Sequence, residues 1–195
     1  CDRDLDSFPT RRSSDLFERV KKSKESGCQY LTVAIESAVQ DVIDKVVKRK
    51  LDLNEVDRLM EYCQDVNLRL NAFYIIGLPG ETKDNIMYTL NYALNRYDKY
   101  DVLPVINLVK ALPGTELYEN TVNNHLYTDK LEFKPNEITT KEFDPKWIAE
   151  QYAWFRRELN KIRIIKSLKS PRELRRSFQI FFDKVNDKMA LHRVN

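Results

Sequence analysis

The sequence predicts an α/β protein in which parallel strands alternate with helices and a helical extension follows. Short apolar runs centred near Val33, Tyr74 and Val105 lie about 30 to 40 residues apart, and helical patterns fill the intervals, as consecutive βα units require. Two of these runs lead into loops that contain glycine and proline. No glycine follows Gly114, after which the pattern is largely helical.

The composition is that of an ordinary globular protein. Of 195 residues, 42% are hydrophobic and 32% are charged. No apolar run approaches the roughly 20 residues of a membrane span, so we expect no membrane partner. Three cysteines at wide spacing argue against a disulfide framework and predict a reducing, cytoplasmic setting.

The first sixteen residues do not look like a natural N-terminus. The chain opens with Cys1, and residues 7–16 resemble, residue for residue, one reading frame of a widely used sequencing adapter. We interpret residues 1–16 as a non-native scar and exclude them from the fold prediction. We expect the natural protein to continue upstream of Phe17, so that this chain is its C-terminal part. The alternative is a disordered natural N-terminus.

Capping patterns mark the helices of the βα region. Ser37 and Gln40 make a capping box, and Asp52 starts another with Glu55. Gly27 stands where a left-handed residue ends a first helix. The predicted helices cover residues 17–26, 38–49, 53–65 and 83–97, the last capped by Thr82, and a short helix follows Thr115.

The three predicted strands cover residues 31–35, 70–76 and 102–108. The first two are apolar without polar alternation, which is typical of parallel strands buried on both faces. The third contains Pro104, which cannot donate a ladder hydrogen bond. We therefore place this strand at a sheet edge, or Pro104 at its start.

Residues 121–195 are predicted to form a separate helical extension. Asp144 and Pro145 supply the N-cap and first residue of one helix, and Ser170 starts another. Residues 146–193 carry 13 lysines and arginines against 5 acidic residues. A non-enzymatic, basic interaction module is thus an alternative function, but a solvated helix face explains the charge as well, so nucleic acid is not the expected partner.

Candidate site residues follow from topology, because ligands of parallel βα proteins bind at the carboxyl ends of the strands. Glycines in the turn after the second strand allow a flat ligand to approach the backbone, and Glu36 and Glu81 can accept hydrogen bonds from an ammonium group or ribose hydroxyls. Alternatively, the glycines only tighten the turn and the carboxylates only favour helix N-termini. The candidates are Glu36, Ser37, Ile76, Gly77, Leu78, Gly80, Glu81, Leu108 and Lys110.

Several familiar catalytic patterns are missing from the sequence. It contains no Gly-x-Gly-x-x-Gly, no Walker loop, no Ser/His/Asp set and no His-Glu-x-x-His. An alternative enzyme is a different parallel barrel that acts on a phosphorylated metabolite. Its phosphate would bind near Thr82 or Thr115, at the start of a helix.

Three segments together resemble a known family. They are Ala34-Ile-Glu-Ser37, Ile76-Gly-Leu-Pro-Gly-Glu-Thr82 and Leu112-Pro-Gly-Thr-Glu-Leu-Tyr118. In this order and spacing they are similar to the C-terminal half of a radical S-adenosylmethionine (radical SAM) enzyme core, in the subgroup that often carries an upstream cobalamin-binding domain. The resemblance implies a partial barrel, in which residues 17–120 hold the last three of six βα units.

The resemblance also implies cofactors and roles. A [4Fe-4S] cluster would reduce S-adenosylmethionine to methionine and a 5'-deoxyadenosyl radical, and cobalamin is a further cofactor that the subgroup allows. Glu36 and Ser37 would contact the ribose or the methionine part of S-adenosylmethionine. Residues 76–80 would lie beside adenine, and residues 108–110 would complete the site from the last strand.

This chain departs from the family in its cysteines. The family holds its cluster by Cys-x-x-x-Cys-x-x-Cys, and no such triplet is present. Cys28 precedes a strand and Cys63 lies in a helix, so we predict no metal ligand in this chain. The expected partners are the missing N-terminal half of the same protein and an unidentified substrate. Three strands alone would leave the barrel open along the first strand.

Overall fold

The computed structural model describes residues 13–127, 130–132 and 134–169 of the chain. It divides into two compact units, one that ends at Tyr152 and one that begins at Ala153. The first unit contains the sheet and every candidate site residue. The helix predicted to start at Ser170 lies outside the described residues.

Three parallel strands form one sheet, as the sequence predicts. The strands are β1 (Tyr30–Glu36), β2 (Arg69–Ile76) and β3 (Leu103–Leu108), in the spatial order β1-β2-β3. Each observed bound lies within one residue of its prediction. Pro104 belongs to an edge strand of this sheet, where a missing N–H donor is tolerated.

The two faces of the sheet differ in burial. On β2, every second side chain from residue 70 to residue 76 is at most 2% exposed, and the side chains between them are half-buried. β1 is more open: Tyr30 is 55% exposed, and Ile35 alone among the residues of this strand is fully buried. The prediction that β1 is buried on both faces is therefore wrong for this chain, because β1 is an edge strand.

Most helices begin where the capping patterns predict. Asp52, Thr82, Thr115 and Asp144 each accept a backbone N–H bond from the first turn of the helix that follows. Gly27 follows the first helix with φ of 86°. Among the described residues the α-helices are α1 (Ser13–Glu25), α2 (Gln40–Val42), α3 (Leu53–Asp65), α4 (Lys83–Tyr100), α5 (Glu116–Asn123) and α6 (Pro145–Lys169).

The continuous helix predicted over residues 38–49 is not formed. α2 is a single short turn that continues into a π-helical segment, Ile43–Val47. Lys48 then takes a left-handed conformation with φ of 57°, and the N–H of Arg49 donates to the carbonyl of Ile43 at 3.1 Å. This tightly curled segment returns the chain toward the end of β1.

The capping box predicted at Ser37 and Gln40 is wrong. The Ser37 hydroxyl shares a hydrogen bond with Thr89 of α4. The Gln40 side-chain amide donates to Asp44 and to the carbonyl of Leu51, instead of returning to the start of α2. The Ser37 hydroxyl also accepts the N–H of Val39 at 3.2 Å, but Gln40 does not complete the box.

The chain after β3 packs onto the core of the first unit. Val109, Ala111 and Ile138 form a buried cluster. Partly buried side chains surround it, namely Ile75, Leu78, Leu117, Tyr118, Leu126 and Leu131. The N–H of Asn136 also donates to the carbonyl of Val109 at 2.8 Å. Residues 121–152, predicted to belong to the helical extension, therefore lie in the first compact unit.

The last described helix, α6, is 25 residues long and rich in lysine and arginine. Its N-terminal residues belong to the first unit and the remainder to the second. Neither α6 nor any other helix in the described part of the chain combines the length and the apolar composition needed to cross a membrane.

Candidate functional site

The carboxyl ends of the three strands lie at one edge of the sheet. Glu36 is paired with Tyr74, and Ile76 is paired with Leu108, so the loops after the strands emerge side by side. The predicted placement of Glu36, Gly77 and Leu108 at one edge is confirmed. Their roles toward a ligand stay predictions.

Glu36 ends β1 in an unusual backbone conformation. Its φ is 69°, and the pairing with β2 shifts between Ala34 and Glu36, which marks a bulge. A positive φ in a residue other than glycine is uncommon and persists only where the surroundings hold it. Burial raises the pKa of the Glu36 carboxyl, and the positive charge of Arg49 opposes this effect.

Arg49 holds the end of β1 and was not among the predicted site residues. Its Nη1 donates to the carbonyl of Ala34 at 2.9 Å and lies 3.6 Å from Glu36 Oε1. The guanidinium is partly exposed, so it remains accessible from solvent. Sequence reasoning missed it because residues 38–49 were expected to form a continuous helix. No signal in the sequence distinguishes Arg49 from Lys45, Lys48 and Lys50, the other basic residues of this segment.

Ser37 lies inside the protein. It is fully buried, and its N–H donates to the carbonyl of Ile35 at 3.0 Å. Its hydroxyl lies 3.2 Å from the hydroxyl of Thr89 and accepts the N–H of Val39 at 3.2 Å. The structure therefore gives this hydroxyl partners within the chain, where it connects the end of β1 to α4.

The turn after β2 is held by its own glutamate. Glu81 Oε2 accepts the N–H of Gly77 at 2.9 Å and the N–H of Leu78 at 2.8 Å. The N–H of Glu81 in turn donates to the carbonyl of Leu78 at 3.1 Å. The N–H groups of Gly77 and Leu78 are thus already bonded to Glu81 and are not free to bind a ligand.

Both glycines of this turn are required by its geometry. Gly77 has φ of 93° and Gly80 has φ of 101°, which side-chain-bearing residues rarely adopt. A Cβ at Gly77 would lie 3.2 Å from Val109 and 3.7 Å from Ile148. A Cβ at Gly80 would lie 3.1 Å from Val46. The space beside each glycine is therefore occupied by side chains of this same protein, not left open for a ligand.

Glu81 is a buried carboxylate. It is 1% exposed, and its Oε1 has no hydrogen-bond partner among the described residues. Burial raises the pKa of the Glu81 carboxyl to about 7, although the two backbone N–H bonds favour the ionised form. The predicted acceptor for an ammonium or ribose group thus faces the backbone of its own turn.

β3 completes the edge. Leu108 is half-buried and pairs with Ile76, and the N–H of Val109 donates to the carbonyl of Ile76 at 3.1 Å. Lys110 is exposed. This strand end therefore offers an apolar side chain and a solvent-facing ammonium group beside the turn.

Two further contacts connect the loops at this edge. Lys48, after the π-helical segment, forms an ion pair with Glu116 at the start of α5. The Lys83 ammonium at the start of α4 lies 5.5 Å from the ring centre of Trp147, in the first turn of α6. Segments that follow all three strands are thus joined to one another.

The two described cysteines do not fit cluster ligands at this edge. Cys28 precedes β1, at the opposite end of the strand from Glu36, and its thiol donates to the carbonyl of Tyr30 at 3.2 Å. Cys63 is buried in α3, and burial raises its pKa to about 11, which disfavours the thiolate that binds iron. Over residues 13–127, 130–132 and 134–169, no group of three or more His, Cys, Asp or Glu side chains is placed to hold a metal ion.

The side chains at this edge are suited to binding a polar ligand. Glu36 presents a carboxylate and Arg49 a guanidinium, 3.6 Å apart. Such a pair can bind an adjacent cation and anion, like the ammonium and carboxylate of an amino acid, through charge-assisted hydrogen bonds. The half-buried Leu78 and Leu108 follow or end the other two strands at the same edge of the sheet.

Two curated relatives share part of the sequence. The chain is 33% identical over 75 residues to cytidylyl-2-hydroxyethylphosphonate methyltransferase of Streptomyces wedmorensis, a match that covers 35% of this chain and 14% of that protein. It is 26% identical over 125 residues to an uncharacterised methyltransferase of Pyrococcus horikoshii, which covers 63% of this chain and 26% of that protein. The matches thus span about a quarter or less of the length of these relatives. No protein-family profile matches the chain.

The fold is similar to part of a solved enzyme. The structure aligns with coproporphyrinogen III oxidase (HemN) of Escherichia coli, a radical SAM enzyme, with a TM-score of 0.50 and 17% identity. The alignment covers 73% of this chain and 30% of that enzyme. At this identity the likeness concerns the fold alone. It supports the predicted fold class as an α/β arrangement, a three-stranded parallel sheet with helices that matches a fragment of the radical SAM fold.

Proposed function

We propose that this chain is the C-terminal part of a radical SAM enzyme core, and that the ends of its strands form part of the S-adenosylmethionine site. Three findings support this proposal: the likeness to a radical SAM fold, the similarity to two methyltransferases, and the pair formed by Glu36 and Arg49. In such an enzyme a [4Fe-4S] cluster supplies the electron that cleaves S-adenosylmethionine into methionine and a 5'-deoxyadenosyl radical.

The Glu36–Arg49 pair is the observation that carries the proposal. The methionine part of S-adenosylmethionine has an ammonium and a carboxylate group on the same carbon atom. Glu36 would accept hydrogen bonds from the ammonium, and Arg49, 3.6 Å away, would donate to the carboxylate. The bond from Arg49 to the carbonyl of Ala34 holds the guanidinium at the strand end before any ligand arrives.

The other strand ends would hold the adenosine part. Leu78 and Leu108 present half-buried apolar side chains, against which a flat base can pack. Lys110 is exposed after β3, and its ammonium group is available to donate to acceptor atoms of the adenosine part, such as the ribose hydroxyl oxygens. Ser37 and Glu81 would support the site from inside the protein, because both are buried.

The cluster would be held by residues outside the described part of this chain. The relatives and the solved enzyme are three or more times longer than the parts they share with this chain. We propose that the N-terminal half of the same protein supplies the cysteine triplet and completes the barrel. Both curated relatives are methyltransferases, which favours methyl transfer as the reaction. Cobalamin stays a prediction from the family resemblance.

Binding of S-adenosylmethionine to the chain tests this proposal. In an NMR titration, the amide signals of Glu36, Gly77 and Leu108 should shift together. Arg49→Ala should weaken binding by about 10-fold or more, because a hydrogen bond to a charged group contributes about 1.5 to 3 kcal/mol. Lys50→Ala is the matched control, since Lys50 is the next residue and is exposed.

Two results would contradict the proposal. One is equal weakening by Arg49→Ala and Lys50→Ala, which would assign binding to general positive charge. The other is the absence of shifts at Glu36, Gly77 and Leu108 when S-adenosylmethionine is added.

A further inference from the structure

We propose that Glu81 is a proton-linked positioning residue, whose carboxylate holds the turn after β2 firmly when ionised and less firmly when protonated. The inference rests on the proposed function in one respect, namely that this turn borders a ligand site. The proton linkage itself depends on no ligand.

The hydrogen bonds of the turn converge on one atom. Glu81 Oε2 accepts two consecutive backbone N–H groups, from Gly77 at 2.9 Å and from Leu78 at 2.8 Å. Hydrogen bonds to an ionised oxygen are roughly twice as strong as those to a neutral one. Protonation of this carboxylate therefore weakens both bonds at once.

The environment of the other carboxylate oxygen, Oε1, favours protonation of Glu81. Oε1 is buried and bonds to no group in the part of the chain that the structure describes, so a proton can bind there without displacing a hydrogen bond of that part. A buried charge without sufficient donors is costly, which favours the neutral form. Burial accordingly raises the pKa of the Glu81 carboxyl to about 7, and both forms are populated near neutral pH.

Charged neighbours do not explain this behaviour. No ion pair between described residues includes Glu81, and the opposing influences on its pKa are burial and the two backbone bonds. Of the charged side chains that follow the strands at this edge, Glu36 is half-buried and the others are exposed to solvent, namely Asp44, Lys45, Lys48, Arg49, Lys83, Asp84, Lys110 and Lys146. None of these charges contributes to the pKa shift of Glu81. The protonation of Glu81 is therefore governed by its buried position.

The turn that Glu81 holds packs against residues at the edge of the sheet. Gly77 packs against Val109 and Ile148, and Gly80 packs against Val46. Leu78 lies between these glycines, is half-buried and packs against the cluster of Val109, Ala111 and Ile138. A change in the bonds to Gly77 and Leu78 thus alters the surface that a ligand would meet, and ionised Glu81 holds it in the observed geometry.

The test uses the full chain without ligand, labelled with ¹⁵N. The amide signals of Gly77 and Leu78 are followed by NMR from about pH 3.5 to about pH 9. Both signals should move with a common midpoint near pH 7. Glu81→Gln should abolish the movement, because the glutamine carboxamide oxygen still accepts both N–H bonds but does not titrate in this range.

Glu137→Gln is the matched control. The Glu137 carboxylate also accepts two backbone N–H groups, those of Glu132 and Lys134, in a more exposed turn. This substitution should leave the titration of Gly77 and Leu78 unchanged.

Either of two results would overturn the inference: a midpoint near the ordinary glutamate value of 4.5, or a movement that persists in Glu81→Gln. If Glu81→Gln does not fold, the midpoint of the unaltered chain decides alone. The outcome is separate from the proposed function. If the Gly77 and Leu78 signals titrate but S-adenosylmethionine does not bind, only the proposed function is contradicted. If S-adenosylmethionine binds but these signals do not titrate, only the role of Glu81 is contradicted.

Discussion

Val46 closes over Gly80, since its Cγ2 lies 3.1 Å from the position that a Cβ on Gly80 would occupy. Val46 belongs to the π-helical segment after β1, so this contact joins the loops that follow the first two strands. Gly80 also has φ of 101°. A side chain at residue 80 would therefore be strained both by its backbone conformation and by its contact with Val46.

We predict that Gly80→Ala lowers the free energy of unfolding by about 2 to 4 kcal/mol, with the positive φ and the displacement of Val46 each contributing about 1 to 2 kcal/mol. Gly114→Ala is the matched control, because Gly114 has φ of 81° but nothing within 4 Å of its Cβ position. Urea denaturation of both variants measures the difference. An equal decrease in the free energy of unfolding in both variants would show that the contact with Val46 does not contribute to the destabilisation.

A second prediction concerns two tyrosines that pack edge to face, with ring centres 6.4 Å apart. The hydroxyl of Tyr92 donates to Asp57 at 2.5 Å, whereas the hydroxyl of Tyr74 is buried and has no partner within residues 13–127, 130–132 and 134–169. Tyr74→Phe should leave the free energy of unfolding unchanged or raise it by up to about 1 kcal/mol, because it removes an unpaired polar group. Tyr92→Phe should lower it by about 1 to 2 kcal/mol, because the Asp57 carboxylate loses one donor and keeps those of Arg96.

Thermal unfolding of the two tyrosine variants checks this prediction. Each variant loses one phenolic hydroxyl group, so the two changes are chemically equivalent. A loss in Tyr74→Phe as large as that in Tyr92→Phe would mean that an ordered water or another group binds the Tyr74 hydroxyl.

The sheet and most helix starts could be predicted from the sequence because their signals are local. An apolar run followed by a glycine turn specifies β2 within one residue. Asp52 and Thr82 cap the helices that directly follow them, so their partners lie two or three residues away. The same local logic places Glu36 and Gly77 at one edge of a parallel sheet.

The rest of the candidate site could not be predicted because its partners are distant in sequence. The pattern at Ser37 satisfies a capping box, but its hydroxyl bonds to Thr89, 52 residues away. A π-helical segment has no compositional signature, so Arg49 could not be placed beside Glu36. Whether Glu81 faces solvent or its own turn likewise depends on packing that one sequence does not show.

A third prediction concerns pH. Burial raises the pKa of Glu81 from 4.5 to about 7, so between these values the folded chain binds more protons than the unfolded chain. Stability should therefore fall as pH rises through this window, by up to about 3 kcal/mol, since one pKa unit corresponds to about 1.4 kcal/mol. Burial also raises the pKa of Glu36, which adds a slope of the same sign.

Urea denaturation at a series of pH values measures this slope. Glu81→Gln should flatten most of it, and Glu137→Gln should leave it in place. A stability that rises with pH across the same window would contradict the assigned direction of the Glu81 shift.

The last prediction is that Cys63 resists alkylation in the folded chain. It is buried in α3, and burial raises its pKa from 9.0 to about 11, so its thiolate at neutral pH should be about 100-fold rarer than that of an ordinary thiol. Peptide mapping after iodoacetamide treatment should therefore show Cys28, which is half-buried, modified well before Cys63. In urea the two should react alike, which controls for the intrinsic chemistry of the thiols. Rapid modification of Cys63 in the folded chain would show that α3 opens readily, and this thiol would then have to be reconsidered as a metal ligand.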